Sequence, residues 1–516
     1  MKGDDMATTW MRWTLGLGLA AVTALALVPP DAGAQRGPQI TISQPADATT
    51  MDPARSTQVL TVNYFVNLYD TLTRWDTALT LQPGLATAWK AVNDTTWDIT
   101  LRQGVTFHDG SPVTAADVKA VYDRARTPGK SVVAAGFATI EAIEVTGPAS
   151  LRIVTRKPDP LMPVRMAQMG GYIYPARFAS DEGARELARK PIGSGAYRFV
   201  SWTKDDQLVM EAHRPWWGWG GKPPAIDRVV WKPIPDDFAR LSALQRGEVD
   251  VITNVPPDQM KIVRTLTVPA TRTVTFWINA TQPPTSDRRV RQAMHHAMDV
   301  QSIVKNLYAG QGKPFSGGLA DTDFGYNPDL KPYPYDPERA RKLLAEAGHG
   351  GGIDVTLYAG SGTMVNDKQL LEAIADMWSR VGIRARIEMM EMAARQKMNN
   401  ERTVPPNALM LINPQSTLLD ADGSLWRLFH PNGFGGKYWA GNQPGQRFHE
   451  LMEQARYTLD QKKRKQLYTE ATRIIHEEKP WLELFQEVVI YGVSRRMAFK
   501  PRADYRLIAA EMTVAR

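Results

Sequence analysis

The sequence contains no cysteine among its 516 residues. This absence excludes disulfide bonds, thiolate metal sites, a cysteine nucleophile and a lipid-modified N-terminal cysteine. Familiar catalytic and nucleotide-binding motifs are missing too, because the chain has no Gly-x-Ser-x-Gly elbow, no His-Glu-x-x-His pair and no phosphate loop ending in Gly-Lys-Ser/Thr. The sequence therefore gives little support to an enzyme and predicts no cofactor.

Clustered charge and paired histidines are also lacking. The formal net charge is +8, but Lys and Arg are scattered along the chain. The longest basic run, Lys462–Lys465, lies on a predicted helix that also carries acidic residues, which favours a solvated helix face over a nucleic-acid site. The eight histidines show no metal-ligand spacing, and His108 lies in a predicted turn. We therefore predict neither a metal site nor a nucleic-acid partner.

Long apolar runs are absent except at the N-terminus. The apolar segment from Trp13 to Val28 is shorter than the roughly 20 residues that a membrane span needs. Pro29-Pro30 ends it, and Ala32-Gly33-Ala34 has the small-x-small pattern of a cleavage site. This predicts a signal peptide over residues 1–34, cleaved near Ala34, and a soluble periplasmic protein. Translation could start at Met1 or at Met6.

The most informative stretch covers residues 81–126. Apolar and polar residues alternate over Trp97–Leu101, which is the period of a half-buried strand. His108–Pro112 has the composition of a tight turn. Thr114 and Asp117 have the spacing of a capping box, so we expect a helix to begin there. The stretch therefore predicts a strand, a turn and a helix in succession.

These residues resemble the strand–turn–helix signature of the extracytoplasmic solute-binding proteins of family 5, which serve peptide and nickel ABC importers. The matching segments are Leu85-Ala86, Ala88-Trp89, Leu101–Val105, Phe107–Gly110 and Thr114–Val118. Further segments match downstream, namely Pro191–Tyr197, Pro215–Gly218, Asp287–Ala293, Met298-Asp299 and Tyr335–Ala340. The resemblance runs from about Thr50 to Val493, nearly the whole mature chain.

The resemblance implies an α/β, two-lobed periplasmic-binding-protein-like (type II) fold with a small extra domain inserted in the first lobe. A strand–helix–strand pattern over residues 229–252 independently favours α/β layers. The implied boundaries are 35–75 for the first part of lobe 1, 76–186 for the inserted domain, 187–272 for the second part of lobe 1, 273–490 for lobe 2 and 491–516 for the return to lobe 1.

The resemblance also implies a function. Two closing lobes would capture a small solute, a peptide or peptide-like molecule, and deliver it to an ABC permease in the inner membrane. The protein would work as a monomer and without turnover. A metal-chelate binder of the nickel type is the alternative within the family, and an exported hydrolase is the alternative outside it.

Candidate ligand contacts lie in the loop after the apolar run Ala408–Ile412. The run suits a buried strand, and ligands of α/β folds bind near such strand ends. Alignment with peptide-binding members puts Thr417 where the family has the aspartate that pairs with the peptide amine, so Asp420 or Asp422 could replace it. The alternatives for this pair are a plain Asp-Ala-Asp-Gly turn and, with less support, acid–base hydrolysis.

The other candidates come from a second loop and from aromatic residues. In the family, the residues after Asp52-Pro53 reach the cleft, which here means Arg55, Ser56 and Thr57; their alternative role is loop solvation. Candidate aromatic walls are Tyr172, Trp277, Trp426 and Trp439. Aromatic residues at such positions are more often part of a core than of a pocket, so both interpretations stay open.

Overall fold

The computed structural model describes residues 37–433, 435–439 and 443–515, so the predicted signal peptide over 1–34 lies outside the described residues. No helix in this described part is long and apolar enough to cross a membrane. The strands are β1 (Gln39–Gln44), β2 (Thr73–Trp75), β3 (Leu81–Pro83), β4 (Ala86–Asn93), β5 (Thr96–Leu101), β6 (Ile140–Gly147), β7 (Ser150–Thr155), β8 (Tyr197–Thr203), β9 (Gln207–Ala212), β10 (Arg228–Pro233), β11 (Val251–Ile252), β12 (Thr265–Ile278), β13 (Gly312–Pro314), β14 (Ile353–Gly360), β15 (Ile383–Met390), β16 (Ala408–Ile412), β17 (Trp481–Val493), β18 (Met497–Ala498) and β19 (Thr513–Val514).

The α-helices are α1 (Val59–Leu68), α2 (Ala115–Ala125), α3 (Met162–Arg165), α4 (Asp181–Leu187), α5 (Asp237–Gln245), α6 (Arg288–His296), α7 (Val300–Leu307), α8 (Pro337–Glu346), α9 (Asp367–Ser379), α10 (Met392–Glu401), α11 (Arg427–Phe429), α12 (Gln443–Arg456) and α13 (Gln461–Glu478). Strands and helices alternate along much of the chain, which confirms the predicted α/β class. The predicted capping box of α2 is present, since the backbone N–H and Oγ1 of Thr114 both donate to Asp117 at 2.9 and 2.7 Å.

The two lobes are the two halves of one long sheet. Its strand order is β15-β14-β16-β12-β17-β11-β1-β10-β9-β8, with β13 paired to β17. The second half has separate apolar clusters on its two faces, one with Phe276 and Leu409 and one with Trp277 and Met410. Alternation along β12 and β16 explains this, because neighbouring residues of a strand point to opposite faces.

The first half shares its apolar core with the region predicted as an inserted domain. That region contains a separate antiparallel sheet, ordered β4-β5-β7-β6, against which α2 packs. Trp97 and Ile153 of this small sheet belong to the same buried cluster as Ile40 and Trp231 of the main sheet. The small sheet is therefore fused to the first lobe through one continuous hydrophobic core.

A glycine-rich turn joins these two parts. His108 Nε2 lies 3.1 Å from the carbonyl oxygen of Gly195, and His108 Nδ1 accepts a hydrogen bond from the backbone N–H of Gly193 at 3.3 Å. A Cβ at Gly193 would come 2.1 Å from the carbonyl oxygen of Leu68, so only glycine fits beside the end of α1. His108 thus has the structural role that its turn predicted.

The long strands β12 and β17 carry the chain between the lobes. They pair antiparallel from Thr265 with Gly492 to Trp277 with Trp481, but the register slips between Pro269 and Thr273. Here the N–H of Thr271 donates to Ala503 of the C-terminal segment, and its carbonyl accepts from Ser416 of the second lobe. The boundary at 272/273 stays a prediction; the register shift beside it is an irregularity of the kind that bends a strand.

Candidate ligand-binding site between the lobes

A narrow cleft separates the lobes beside the irregular part of β12. Val59 and Val62 of α1 and Met169 line it from the first lobe, and Gln415, Ser416, Thr417 and Leu419 line it from the second. Arg506 of the C-terminal segment also lines it. The cleft has a volume of about 30 Å³ and a mainly apolar lining. It is the kind of interlobe space that a hinge can open and close.

The loop after β16 is held against the crossing strands. All five residues of β16 are buried, as the apolar run predicted. Beyond it, the carbonyl of Pro414 accepts from the N–H of Thr273 at 3.1 Å, and the N–H of Ser416 donates to Thr271 at 2.8 Å. Bending of β12 therefore moves this loop directly.

Direct contacts bridge the cleft. Gln168 Nε2 of the first lobe donates to the backbone carbonyl of Thr417 at 2.6 Å. Leu419 packs in one small apolar cluster with Trp75 and Ala167 of the first lobe. Leu419 has a φ of 52°, a left-handed conformation that costs a non-glycine residue of order 1 kcal/mol or more. The structure therefore shows lobes in contact, with Leu419 seated in the first lobe.

Thr417 is exposed and lines the cleft, whereas Asp420 lies behind it. Asp420 is 3% exposed and receives both Arg464 Nη1 and Nη2, at 2.6 and 2.7 Å. Tyr468 Oη and the N–H of Asp422 also donate to it. The sequence analysis predicted that this carboxylate could bind a ligand amine. Instead, Arg464 neutralises it inside the second lobe, because a buried carboxylate is costly without a cation.

Asp422 is buried in a π-helical turn over Asp422–Trp426. Its Oδ1 has no hydrogen-bond partner within the described residues, and the nearest cation, Arg456 Nε, is 3.8 Å away. Burial raises the pKa of this carboxyl group. Asp422 lines neither the cleft nor the cavity described below.

Ser56 and Thr57 lie just before α1. The Ser56 side chain is buried, and its Oγ accepts from Gln58 N at 3.3 Å, which makes it part of the turn. Thr57 is exposed. The aromatic candidates divide between the lobes: Trp277 and Trp439 are buried in one apolar cluster of the second lobe, beside Tyr438 and Phe448.

Tyr172 lies in the first lobe and lines a second, larger space. This space, named here the side cavity, has a volume of about 150 Å³. It shares Trp75 and Arg506 with the cleft. The remaining lining residues include Tyr69, Asp70, Thr71, Arg74, Trp216 and Glu511. The sequence analysis named only Tyr172 among them.

Asp70 is a carboxylate of this lining that the sequence analysis did not name. It follows α1 directly, and its carboxylate accepts from Ser194 Oγ at 3.0 Å, Trp216 Nε1 at 3.2 Å and Trp217 Nε1 at 3.1 Å. Burial raises the pKa of Asp70 to about 6, although these three donors pull it down. The aromatic pair Trp216-Trp217 was the available signal, but its pattern also suits the end of a hairpin.

The described residues include no candidate metal site. No group of three or more His, Cys, Asp or Glu side chains among them is arranged to hold a metal ion. His108, for example, contacts the carbonyl oxygen of Gly195 and the ring of His213.

The chain is similar to known proteins over most of its length. Residues 80–436 match the family model described as bacterial extracellular solute-binding proteins, family 5 Middle. The glutathione-binding protein GsiB of Salmonella typhi is 27% identical over 502 residues, which cover 94% of this chain and 95% of that protein.

Solved structures show the same fold. The substrate-binding protein CtaP of Listeria monocytogenes superposes with a TM-score of 0.84 at 19% identity, covering 93% of this chain and 100% of that one. DppA of Helicobacter pylori, in complex with the peptide STSA, gives a TM-score of 0.75 at 23% identity, with 93% and 98% covered. The two-lobed prediction is therefore confirmed.

Proposed function

We propose a function from one premise: this chain belongs to the bacterial extracellular solute-binding proteins, family 5. It acts as the periplasmic substrate-binding component of an ABC importer. It captures a small peptide or peptide-like solute between its lobes and hands it to an inner-membrane permease. It binds the solute without converting it, and it acts as a monomer after removal of a signal peptide near Ala34.

The observation that carries this proposal is the cleft beside the irregular crossing strands. Two lobes joined through β12 and β17 can change their angle at the register slip between Pro269 and Thr273. Closure brings Gln415, Ser416, Thr417 and Leu419 against α1 and Met169. A solute trapped there loses its contact with water, which strengthens each polar interaction that it makes.

Two of the predicted site residues suit this role best. Thr417 is exposed in the cleft, and Tyr172 lines the side cavity that joins it. We retain both as ligand contacts. Asp420 is not retained, because Arg464 already occupies both of its carboxylate oxygens.

Glutathione, a peptide-like tripeptide, is a specific candidate ligand. GsiB proteins, named as glutathione-binding, are similar to this chain over 94% of its length. The side cavity has a lining of mixed polarity that includes charged side chains, and it offers a surface for a charged end of such a molecule.

The test combines calorimetry, thermal unfolding and small-angle scattering on the mature protein with glutathione and with trialanine. A bound solute raises the melting temperature, because it stabilises the folded state by RT ln(1 + [L]/Kd), and reduces the radius of gyration. Mass spectrometry of the solute afterwards should recover it unchanged.

Thr417→Trp should block the cleft without disturbing the core, since Thr417 is exposed. Thr403→Trp is the matched control, because Thr403 is exposed and does not line the cleft. Loss of binding in Thr417→Trp alone supports the proposal. Equal binding by both variants, or turnover of the solute by the purified protein, would overturn it.

A further inference from the structure

The side cavity is lined by an acidic and a basic side chain, Asp70 and Arg74. Neither forms an ion pair with any described residue. The other charges of the lining are paired: Arg506 with Asp504, and Glu511 with Arg502. Arg102, whose guanidinium lies 4.2 Å from the centroid of the Trp217 ring, does not line the cavity. Within the lining, one negative and one positive charge are therefore left without an ion pair.

These two charges approach the same tryptophan. Trp217 Nε1 donates to Asp70 Oδ2 at 3.1 Å, and the Arg74 guanidinium lies over the Trp217 ring, 5.0 Å from its centroid. The two side chains are thus near neighbours, yet their charged atoms are too far apart to pair directly. A group with both charges on adjacent atoms could bridge them.

The Asp70 carboxylate keeps accepting capacity. Its Oδ1 accepts one hydrogen bond, from Trp216 Nε1 at 3.2 Å, although a carboxylate oxygen has two acceptor positions. All three of its donors are neutral groups. A buried carboxylate without a cation is costly, and an added ammonium group would lower that cost.

Two buried donors in the same lining also lack acceptors. Tyr172 is 2% exposed and Trp75 is 9% exposed, and neither Tyr172 Oη nor Trp75 Nε1 has a partner within the described residues. Unsatisfied buried donors are rare in folded proteins. Both are suited to donate to a ligand carboxylate beside Arg74.

We propose that the side cavity binds the zwitterionic head group of an α-amino acid, with the ammonium on Asp70 and the carboxylate on Arg74, Tyr172 and Trp75. The inference rests on the proposed function, since Trp75 and Arg506 join this cavity to the cleft that holds the rest of the solute. The ring of Tyr69 lies beside that of Tyr172, with centroids 6.2 Å apart, and adds an aromatic face for the ammonium.

The test uses glutathione, whose γ-glutamyl end is such a head group, and two matched analogues. Glutaryl-cysteinyl-glycine lacks only the ammonium, and 4-aminobutyryl-cysteinyl-glycine lacks only the α-carboxylate. Calorimetry on the wild-type protein should give each analogue a Kd at least about tenfold higher than that of glutathione, because each loses a charge-assisted hydrogen bond.

Variants assign each charge to its residue. Asp70→Asn should weaken glutathione about tenfold or more while leaving the glutaryl analogue unchanged. Arg74→Gln should do the same for glutathione and leave the 4-aminobutyryl analogue unchanged. Asp98→Asn, which removes an exposed carboxylate from the small sheet, is the charge-matched control and should bind like the wild type.

The outcomes separate this inference from the proposed function. If Asp70→Asn binds glutathione like the wild type, or weakens glutathione and its glutaryl analogue equally, the head-group site is wrong. Failure of glutathione to bind at millimolar concentration, while trialanine still closes the lobes, also overturns it and leaves the proposed function standing. If no solute closes the lobes, the proposed function fails with it.

Discussion

Two aspartates, one in each lobe, have opposite surroundings. Asp420 of the second lobe is buried and receives a guanidinium, a phenol and a backbone N–H. Asp70 of the first lobe is half-buried and receives only neutral donors, beside a cavity of about 150 Å³. Both accept hydrogen bonds from aromatic side chains. The difference teaches that a buried acid indicates a binding site only where the chain itself leaves its charge unpaired.

The largest expected effect is on the Asp420 side of this comparison. Asp420→Asn leaves Arg464 buried without its partner, so we expect the free energy of unfolding to fall by about 3–5 kcal/mol. Urea unfolding at pH 7.5 measures this. Affinity for glutathione in the folded fraction should not change.

The double variant Asp420→Asn/Arg464→Gln should recover part of that loss, because no unpaired charge is then buried. The opposite result would be a higher Kd for glutathione in Asp420→Asn with an unchanged free energy of unfolding. It would mean that Asp420 contacts the ligand.

The second effect concerns the stability of the empty protein with Asp70→Asn. Burial raises the pKa of Asp70 to about 6, above the value of about 3.9 in an unfolded chain. Between pH 4 and pH 6, the folded state therefore binds more protons than the unfolded state. The free energy that Asp70 contributes to the stability of the wild type falls as the pH rises through that window. Asn cannot titrate, so the free energy of unfolding of Asp70→Asn should not show this fall. Relative to the wild type, it should rise by roughly 2–3 kcal/mol from pH 4 to pH 7.5.

Urea unfolding of both proteins at the two pH values measures this difference. The depressed pKa values of His108, His449 and His476 change stability in the opposite sense, but they are common to both proteins and cancel. A constant difference across the pH range would show that Asp70 is ionised throughout, like a paired carboxylate.

The third effect is the pH dependence of glutathione affinity. Only the ionised form of Asp70 holds the ammonium, so the Kd should fall by about tenfold from pH 5 to pH 7 and then level off. Calorimetry at fixed ionic strength measures this. Burial also raises the pKa of Glu511, another group of the cavity lining. Asp70→Asn separates the two, because a slope that persists in this variant would belong to Glu511 and contradict the assignment.

The smallest effect tests Asp422, which shares a loop with Asp420 but, like Asp70, accepts no hydrogen bond from a cation among the described residues. Because burial raises its pKa, the neutral amide of Asp422→Asn should leave the free energy of unfolding unchanged or raise it by up to about 1 kcal/mol. Thermal unfolding at pH 7.5 checks this. A loss as large as that in Asp420→Asn would mean that Arg456, at 3.8 Å, forms a full ion pair with it.

The fold was largely predictable because its signals are local. The buried run of β16, the capping box of Thr114 and Asp117 and the turn at His108 each depend on residues close together in the chain. The length of β12 was not predictable in the same way. It continues through Pro269 and the irregular residues beyond, because pairing with β17, more than 200 residues later, completes its hydrogen bonds.

The candidate site was less predictable because it depends on which charges meet. Placing Thr417 in the cleft loop needed only the end of a buried strand and a family resemblance. Our argument against Asp420 as a ligand contact depends on Arg464, which lies 44 residues away on α13. Our proposal for Asp70 depends on its donors Trp216 and Trp217, about 146 residues away.

The sequence by itself determined the α/β class, the order of the elements, the family and the loop that faces the cleft, since hydrophobic period, caps and turns are written in neighbouring residues. Only the tertiary structure decided which aspartate is neutralised and which is open. The charge of a buried carboxylate depends on the groups within about 4 Å of it, and long-range packing chooses those groups.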